Sequence, residues 1–417
     1  MRQLVQADFR RYGFPEEGDS AWAAHWGLDP SVAMLNHGSF GACPLAVLQR
    51  QADLRRQMEA EPVRFFVREM PPLLDASRQR LACWLGAAAE DLVFVANATA
   101  GINSVLRSLR FRPGDELLVT DHGYNAATNV ARYAAELHGA SVAVAELPLP
   151  IQSPEQVVDG VLARVTDRTR LALLDHVTSP TAVVFPIQRL VGELARRGID
   201  TLVDGAHAPG MLPLALDRLG AAYYTGNLHK WVCAPKGAAF LHVRKDRQEA
   251  IHPAILSHGF NRPRSGYTRL QDAFDWPGTG DPTAWLCVAA ALDFLEGLLD
   301  GGAAALMRRN HQCAVAAQRL LCEQLQLRAV CPEEMLGSMA AVRLPDNPAP
   351  TAPGAEGEGP GSVLPLSGEL LDRFAIEVPV MWWPGPPQSV LRISAQAYNH
   401  PAQYQALADA LQSLLSR

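Results

Sequence analysis

Two segments carry residue types that could do chemistry together. TLVDGAHAPG (201–210) places Asp204 at the end of a short apolar run, followed by Gly205 and His207. YYTGNLHKWVCAPKG (223–237) places Lys230 after another strand-like run, with His229 before it. Alone, Asp204 reads as a turn or helix-capping aspartate, and Lys230 as a surface loop lysine. Paired, they suit a cofactor that offers an aldehyde and a basic ring. A lysine amine condenses with the aldehyde, and an acid holds the proton of the ring nitrogen. The ring then draws electrons from a substrate Cα, which is pyridoxal-phosphate (PLP) chemistry.

The elements that must position these residues alternate along the chain. Apolar runs at 92–95, 116–120, 141–147, 171–177, 201–204, 221–225 and 238–243 read as strands. Helix-like segments at 99–109, 125–137 and 187–197 lie between them, the last two closed by Gly139 and Gly198. LALLDHV (171–177) is almost continuously apolar, as expected for a strand covered on both faces. The alternation predicts an α/β fold with a mostly parallel, doubly covered sheet. Ligands in such sheets sit beyond the carboxyl ends of the strands, where Asp204 falls. After residue 285 the pattern changes to long helices at 286–299 and 303–325, strands at 339–344 and 390–395, and a closing amphipathic helix at 401–416. The stretch 346–364, rich in Pro, Gly, Ala and Glu, is expected to be an exposed, mobile loop. The predicted division is an N-terminal arm (1–41) contributing to the active site and small domain, a large cofactor-binding domain (42–285) and a small α+β domain (286–417).

Composition narrows the function. The 417 residues are 48% hydrophobic and 19% charged, ordinary for a globular enzyme. A formal net charge of −6 argues against nucleic acid as the partner. No apolar run approaches the roughly 20 residues of a membrane helix. The N-terminus lacks the uninterrupted apolar stretch of a signal peptide. The 7 cysteines are scattered, without C-x-x-C, which fits reduced thiols in a cytoplasmic protein. The dinucleotide G-x-G-x-x-G, the P-loop and H-E-x-x-H are absent. Around Ser39, His37 replaces the first glycine of the hydrolase signature G-x-S-x-G.

The order of several segments resembles the class V aminotransferase family of PLP fold type I, and within it the isopenicillin N epimerase-like branch. The resembling stretches are LNHGSFGACP (35–44), EPVRFF (61–66), FVANATAGIN (94–103), TDHGYNA (120–126), VDGAHAPG (203–210), TGNLHKWVCAPKG (225–237), WPGTGDPTA (276–284) and LRISAQAYN (391–399). They span almost the whole chain, in the family's order. The resemblance implies a fold type I large domain with a seven-stranded-type sheet and a smaller α+β C-terminal domain. It implies that Lys230 is the Schiff-base lysine and the base at Cα. Asp204 would pair with the pyridinium nitrogen, with His207 beside the ring's phenolic oxygen. His122 would stack on the ring and join Lys230 and Asp204 as a catalytic group, with Tyr124 a rival for the stacking position.

The phosphate is expected at the entry of the 99–109 helix, where free N–H groups and the helix dipole favour an anion. Ala98 and Thr99 fall there, and Asn227 and His229 would add donors. Many relatives carry two hydroxyl residues where this chain has Ala98-Thr99, so Ala98 leaves only a backbone contact. Thr279 resembles a residue that reaches the phosphate of a neighbouring subunit, implying a homodimer with shared sites. Arg392 would bind the substrate carboxylate through its guanidinium fork; its other reading is a structural salt bridge. Asn36 and His37 resemble residues that fold over the substrate, and Arg64 a cation at the pocket mouth.

The family holds desulfurases, lyases, epimerases and transaminase-like enzymes. A desulfurase needs a mobile nucleophilic cysteine ahead of the carboxylate arginine. Residues 376–390 contain none, and Cys331 lies further back. Epimerisation, with His37 or Tyr124 as second acid, leads on resemblance. The alternative is β-eliminating C–S lyase chemistry of the cysteine or cysteine-sulfoxide conjugate type. An aminotransferase or a non-catalytic PLP-fold binding protein ranks behind both. Trp382 and Trp383 are equally readable as pocket walls or as packing.

Overall fold

The computed structural model describes residues 9–15, 21–346 and 363–415. Most of the 346–364 stretch lies outside them. The large sheet is built from β1 (Leu92–Val95), β2 (Glu116–Thr120), β3 (Ser141–Ala145), β4 (Thr169–Asp175), β5 (Asp200–Asp204), β6 (Tyr223–Asn227) and β7 (Ala239–Val243). Among the described residues it is seven-stranded, in the order β1-β7-β6-β5-β4-β2-β3. Only β7 runs antiparallel to its neighbours, β1 and β6; the other pairings are parallel. Strands β1, β2, β6 and β7 are buried at every residue, as expected of strands covered on both faces, even where they carry polar residues such as Glu116, Thr225 and His242.

The crossover helices are α1 (Ala98–Ser108), α2 (Asn125–His138), α3 (Pro154–Ala163) and α4 (Ile187–Arg196). Asn97 caps α1, its side chain accepting the Ala100 N–H at 2.8 Å. Gly139 ends α2 in the left-handed conformation, its N–H turned to the Ala135 and Glu136 carbonyls. Two predicted strands shift by two residues. The one expected at 171–177 ends at Asp175, and the one expected at 221–225 runs Tyr223–Asn227. Each shift brings a polar residue, Asp175 or Asn227, to a strand's carboxyl end.

The second sheet contains β8 (Arg328–Ala329), β9 (Met339–Arg343), β10 (Val380–Trp382) and β11 (Ser389–Ser394), antiparallel in the order β10-β11-β9-β8. Helices α6 (Gly302–Leu325) and α7 (Pro401–Leu415) pack together beside it. The helix expected at 286–299 is α5 (Val288–Leu298), preceded by the short turn Thr283–Leu286. It packs against the helices Leu45–Ala60 and Met70–Leu85, neither of which was foreseen. The first of these buries only Val47, Gln51 and Leu54, too sparse an apolar stripe to read from sequence.

The N-terminal arm joins the second sheet's surroundings. Ala33–Met34 pairs with Ile376–Glu377, and the Ser394 N–H donates to the Leu35 carbonyl at 2.8 Å. Beyond it Gly41 has a positive φ of 69°, and a Cβ there would fall 2.1 Å from the His229 carbonyl. Only glycine lets the arm lie this close to the lysine loop. No helix among the described residues is long and apolar enough to cross a membrane.

Candidate active site

A cavity of about 400 Å³ opens at the carboxyl ends of β4, β5 and β6, lined by Asp175, Asp204, His207, Asn227, His229 and Lys230 among others. Its size is that of a small-molecule site. Parallel register sets Asp175 beside Asp204. The Asp204 carboxylate accepts the Ala206 N–H at 3.0 Å as the chain turns out of β5. Gly205 makes that turn possible, because a Cβ there would fall 2.2 Å from the Tyr224 ring.

Lys230 Nζ lies 3.1 Å from His207 Nε2. Burial, then the nearby Arg392 charge, lowers the lysine to about 7, against a smaller opposing pull from Asp204. His207 is pulled well below the ordinary histidine range by burial and by Lys230. It is therefore neutral and can accept from the amine, while its Nδ1 is buried without a partner among the described residues. Burial raises both carboxyl groups, and Asp204 raises Asp175 further by charge repulsion. A cationic partner between these strand ends would relieve that repulsion.

The entry of α1 forms another wall, through Asn97, Ala98 and Thr99. The Ala98 N–H donates to Asn227 Oδ1 at 2.8 Å, so these two hold each other. His229, lowered to about 4 by burial and then by Lys230, turns Nδ1 toward the Ala238 carbonyl at 3.2 Å.

Other expected residues sit elsewhere. His122 is fully buried, does not line this cavity, and pairs through Nδ1 with Thr181 Oγ1 at 2.8 Å. Tyr124, exposed by 44%, lines the cavity in its place. His37 is also fully buried and outside the cavity: Nε2 lies 3.0 Å from the Lys230 carbonyl and Nδ1 2.8 Å from the Tyr398 hydroxyl. It braces the lysine loop from behind. Asn36 accepts from Arg392 at 3.2 Å and donates to Glu377 at 2.9 Å. Arg64 forms a surface pair with Glu69 at 2.7 Å, away from the cavity. Thr279 is exposed in its loop.

Arg392 stands just behind the cavity wall. It is buried, donates through Nη1 to the Ser179 carbonyl at 2.6 Å and through Nη2 to Ser39 Oγ at 2.9 Å. Both serines line the cavity, and the Arg392 Nε has no partner among the described residues. Sequence reasoning missed Asp175, Ser179, Ser39 and Lys236, all cavity-lining. Asp175 had a usable signal: LALLD repeats the apolar-run-then-acid pattern of TLVD. Cys331 is buried, its thiol pushed up to about 12 by burial, unsuited to nucleophilic work.

A doubly wound sheet with a half-buried lysine, a strand-end acid and a helix entry around one cavity defines a PLP-dependent fold type I enzyme, and these residues fit that cofactor. Residues 42–347 match the family model "Aminotransferase class-V", so this chain belongs to the class V aminotransferase family. It is 37% identical to an isopenicillin N epimerase of Amycolatopsis lactamdurans, over 95% of this chain and 99% of that protein. It is 33% identical to a probable chloroplastic L-cysteine desulfhydrase of Arabidopsis thaliana, over 93% of this chain and 84% of that one. Its fold is also that of a C-DES variant solved with glycine covalently linked to PLP, with a TM-score of 0.76 at 19% identity, over 92% of this chain and 96% of that one.

Proposed function

We propose that the chain carries PLP on Lys230 and epimerises an amino-acid substrate by proton transfer at Cα, as the similarity to isopenicillin N epimerases suggests. The observation that carries this reading is the Lys230 amine, held 3.1 Å from a neutral His207 and brought to about 7 by burial. When bound, PLP supplies an electron-withdrawing ring that acidifies the substrate Cα–H. Lys230, brought to about 7 and so in part free base at neutral pH, takes that proton within hydrogen-bond reach. Asp204 holds the proton of the ring nitrogen, and His207 holds the ring's phenolic oxygen. Thr99, Asn227 and His229 would hold the phosphate at the positive end of α1, while the Ala98 N–H, already donated to Asn227, fixes that amide in place. Tyr124 covers the ring and serves as the second acid, because His122 and His37 lie outside the cavity. Arg392 exchanges its serine partners for the substrate carboxylate.

We place the cofactor-binding unit at 42–285 and the small unit at 286–417, with the arm 1–41 contributing to both. The functional form is a cytoplasmic homodimer in which exposed Thr279 reaches the partner's phosphate.

The experiment is incubation of the PLP-loaded protein with amino acids in deuterated water. Deuterium at Cα with inversion is the expected result. Release of pyruvate and ammonia without inversion would overturn epimerisation in favour of C–S elimination. That second reading draws on the desulfhydrase similarity and on the burial of His37, which removes one of two candidate second acids.

A further inference from the structure

One short turn of the N-terminal arm touches both the lysine loop and the arginine behind the cavity. It runs His37–Phe40 and is entered from Asn36. Its polar side chains face different ways. Asn36 Oδ1 and Ser39 Oγ accept from Arg392 Nη2 at 3.2 and 2.9 Å, and the Ser39 hydroxyl donates to Asn36 Oδ1 at 2.6 Å. His37, between them in sequence, turns to the back of the lysine loop. Its Nε2 lies 3.0 Å from the Lys230 carbonyl and its Nδ1 2.8 Å from the Tyr398 hydroxyl, with the Trp231 ring 4.8 Å away between centroids. The carbonyl can only accept, so Nε2 carries the proton and Nδ1 accepts from Tyr398. Burial takes His37 down to about 3, so the neutral ring keeps this arrangement at working pH. The turn also has no slack. A Cβ on Gly38 would fall 2.4 Å from Met339 Sδ, and one on Gly41 2.1 Å from the His229 carbonyl. The Gly38 N–H donates to Ser394 Oγ at 3.0 Å, and the Gly41 N–H to the His37 carbonyl at 2.8 Å. In so close a fit, a shift at Ser39 is passed on to His37.

We propose that His37 is a positioning residue for Lys230, driven by Arg392 through the turn they share. A substrate carboxylate that takes the guanidinium leaves Ser39 and Asn36 without that donor, and the turn relaxes. His37 carries the change to the Lys230 backbone, so the lysine is re-aimed once the substrate is seated. His37 does not line the cavity and acts only through the main chain of the lysine loop. The proposal rests on reading Lys230 as the cofactor lysine and Arg392 as the carboxylate site. It gives a fully buried histidine outside the cavity a task in the reaction other than that of second acid.

The test uses the full-length, PLP-loaded protein and propionate, a carboxylate with no amine to react with the cofactor. Calorimetry measures propionate binding. Circular dichroism in the PLP absorption band reports how the cofactor is held on Lys230. In the wild type the dichroism should change as propionate binds, with the same midpoint. His37→Phe keeps a ring against Trp231 and removes both hydrogen bonds. It should still bind propionate, because Arg392 is intact, and lose most of the dichroic response. His37→Gln, whose amide N–H can reach the same carbonyl, should restore part of that response. Ser39→Ala loosens the hold on Arg392 without touching the buried ring, so its resting dichroism should already lie near the propionate-bound form. A direct effect of the anion on the cofactor would survive in His37→Phe, so a full response there overturns the proposal. Bound propionate that leaves the wild-type dichroism unchanged overturns it too. Should a thermal melt show the His37 variants unfolded, Ser39→Ala decides, and a wild-type resting spectrum with a full response counts against the coupling. Each of these failures leaves PLP on Lys230 and binding dependent on Arg392. Failure of the underlying reading looks different: no PLP band, no propionate binding, or binding that survives Arg392→Met, any of which removes the proposal with it.

Discussion

The two ends of the large sheet hold clusters of similar residues. At the carboxyl ends of the parallel strands stand Asp175, Asp204, His207 and Lys230. At the opposite end stand Asp91, Asp217 and His242, whose ligand-type atoms lie within 4.8 Å of one another. Burial acts alike at both ends, lowering His207 and His242 and raising Asp204 and Asp91. The surroundings differ. The first cluster lines a cavity and includes a lysine, whereas in the second His242 Nε2 faces an exposed Asp217 at 3.5 Å. A displaced pKa therefore marks burial at either end. What makes a site is the cleft that opens where crossovers diverge from strand ends.

Replacing Lys230 should produce the largest effect. Lys230→Ala should lower Cα proton exchange by about 10³-fold or more, since it removes the amine that holds the cofactor and moves the proton. The purified variant should take up PLP without being fixed to it by borohydride. Exchange near the wild-type rate would collapse the distinction between the two ends. Asp204→Asn comes next, with a loss of about 10²-fold in kcat, because an amide cannot hold the ring nitrogen's proton as a carboxylate does. The equivalent change at the other end, Asp217→Asn, gives the control.

The acid-bearing strand ends were legible in the sequence because an apolar run followed by Asp and Gly is a local pattern. The lysine loop was legible by its distance from that pattern and by family resemblance. Residues 36 and 37 were flagged, yet Ser39 and Phe40 face the cavity, because a short helical turn at His37–Phe40 rotates successive side chains to different sides. His122 and Tyr124 were rivals for the same reason: two residues in a loop carry no periodicity to say which points inward. Arg64 and Thr279 could not be placed from one chain's pattern, since their expected roles lie at a pocket mouth and a subunit boundary.

A pH experiment gives the next effect in size. Lys230 titrates near 7 in the folded protein, against an ordinary lysine value of 10.5. The free amine, which attacks the cofactor's aldehyde, is then available above about 7 and lost as pH falls through it. PLP uptake by the apo protein, followed by absorbance, should level off above that pH and fall about tenfold per unit below it. A midpoint above 9 would mean that the lysine pocket is no more desolvated than a surface. Arg392→Met should move the midpoint upward, because the guanidinium charge is one of the two causes of the depression.

The smallest effect belongs to the far cluster. His242 is buried and its folded pKa lies below the ordinary 6.5, with burial the main cause and Asp91 and Asp217 opposing it. Below its unfolded pKa the unfolded chain binds a proton that the folded chain resists. Stability should therefore drop as pH falls through about 6.5, and His242→Gln should flatten that part of the melting-temperature profile. The substitution itself should cost about 1 kcal/mol, the usual size for one residue. Exchange at Cα should stay within about twofold, since the change lies at the amino ends of the strands while the cavity lies at their carboxyl ends. A large loss of exchange would couple the two ends through β6 and β7, where Tyr224 is paired with His242 and the same strand ends at Asn227. The contrast would then be one of distance along a shared strand rather than of independent regions.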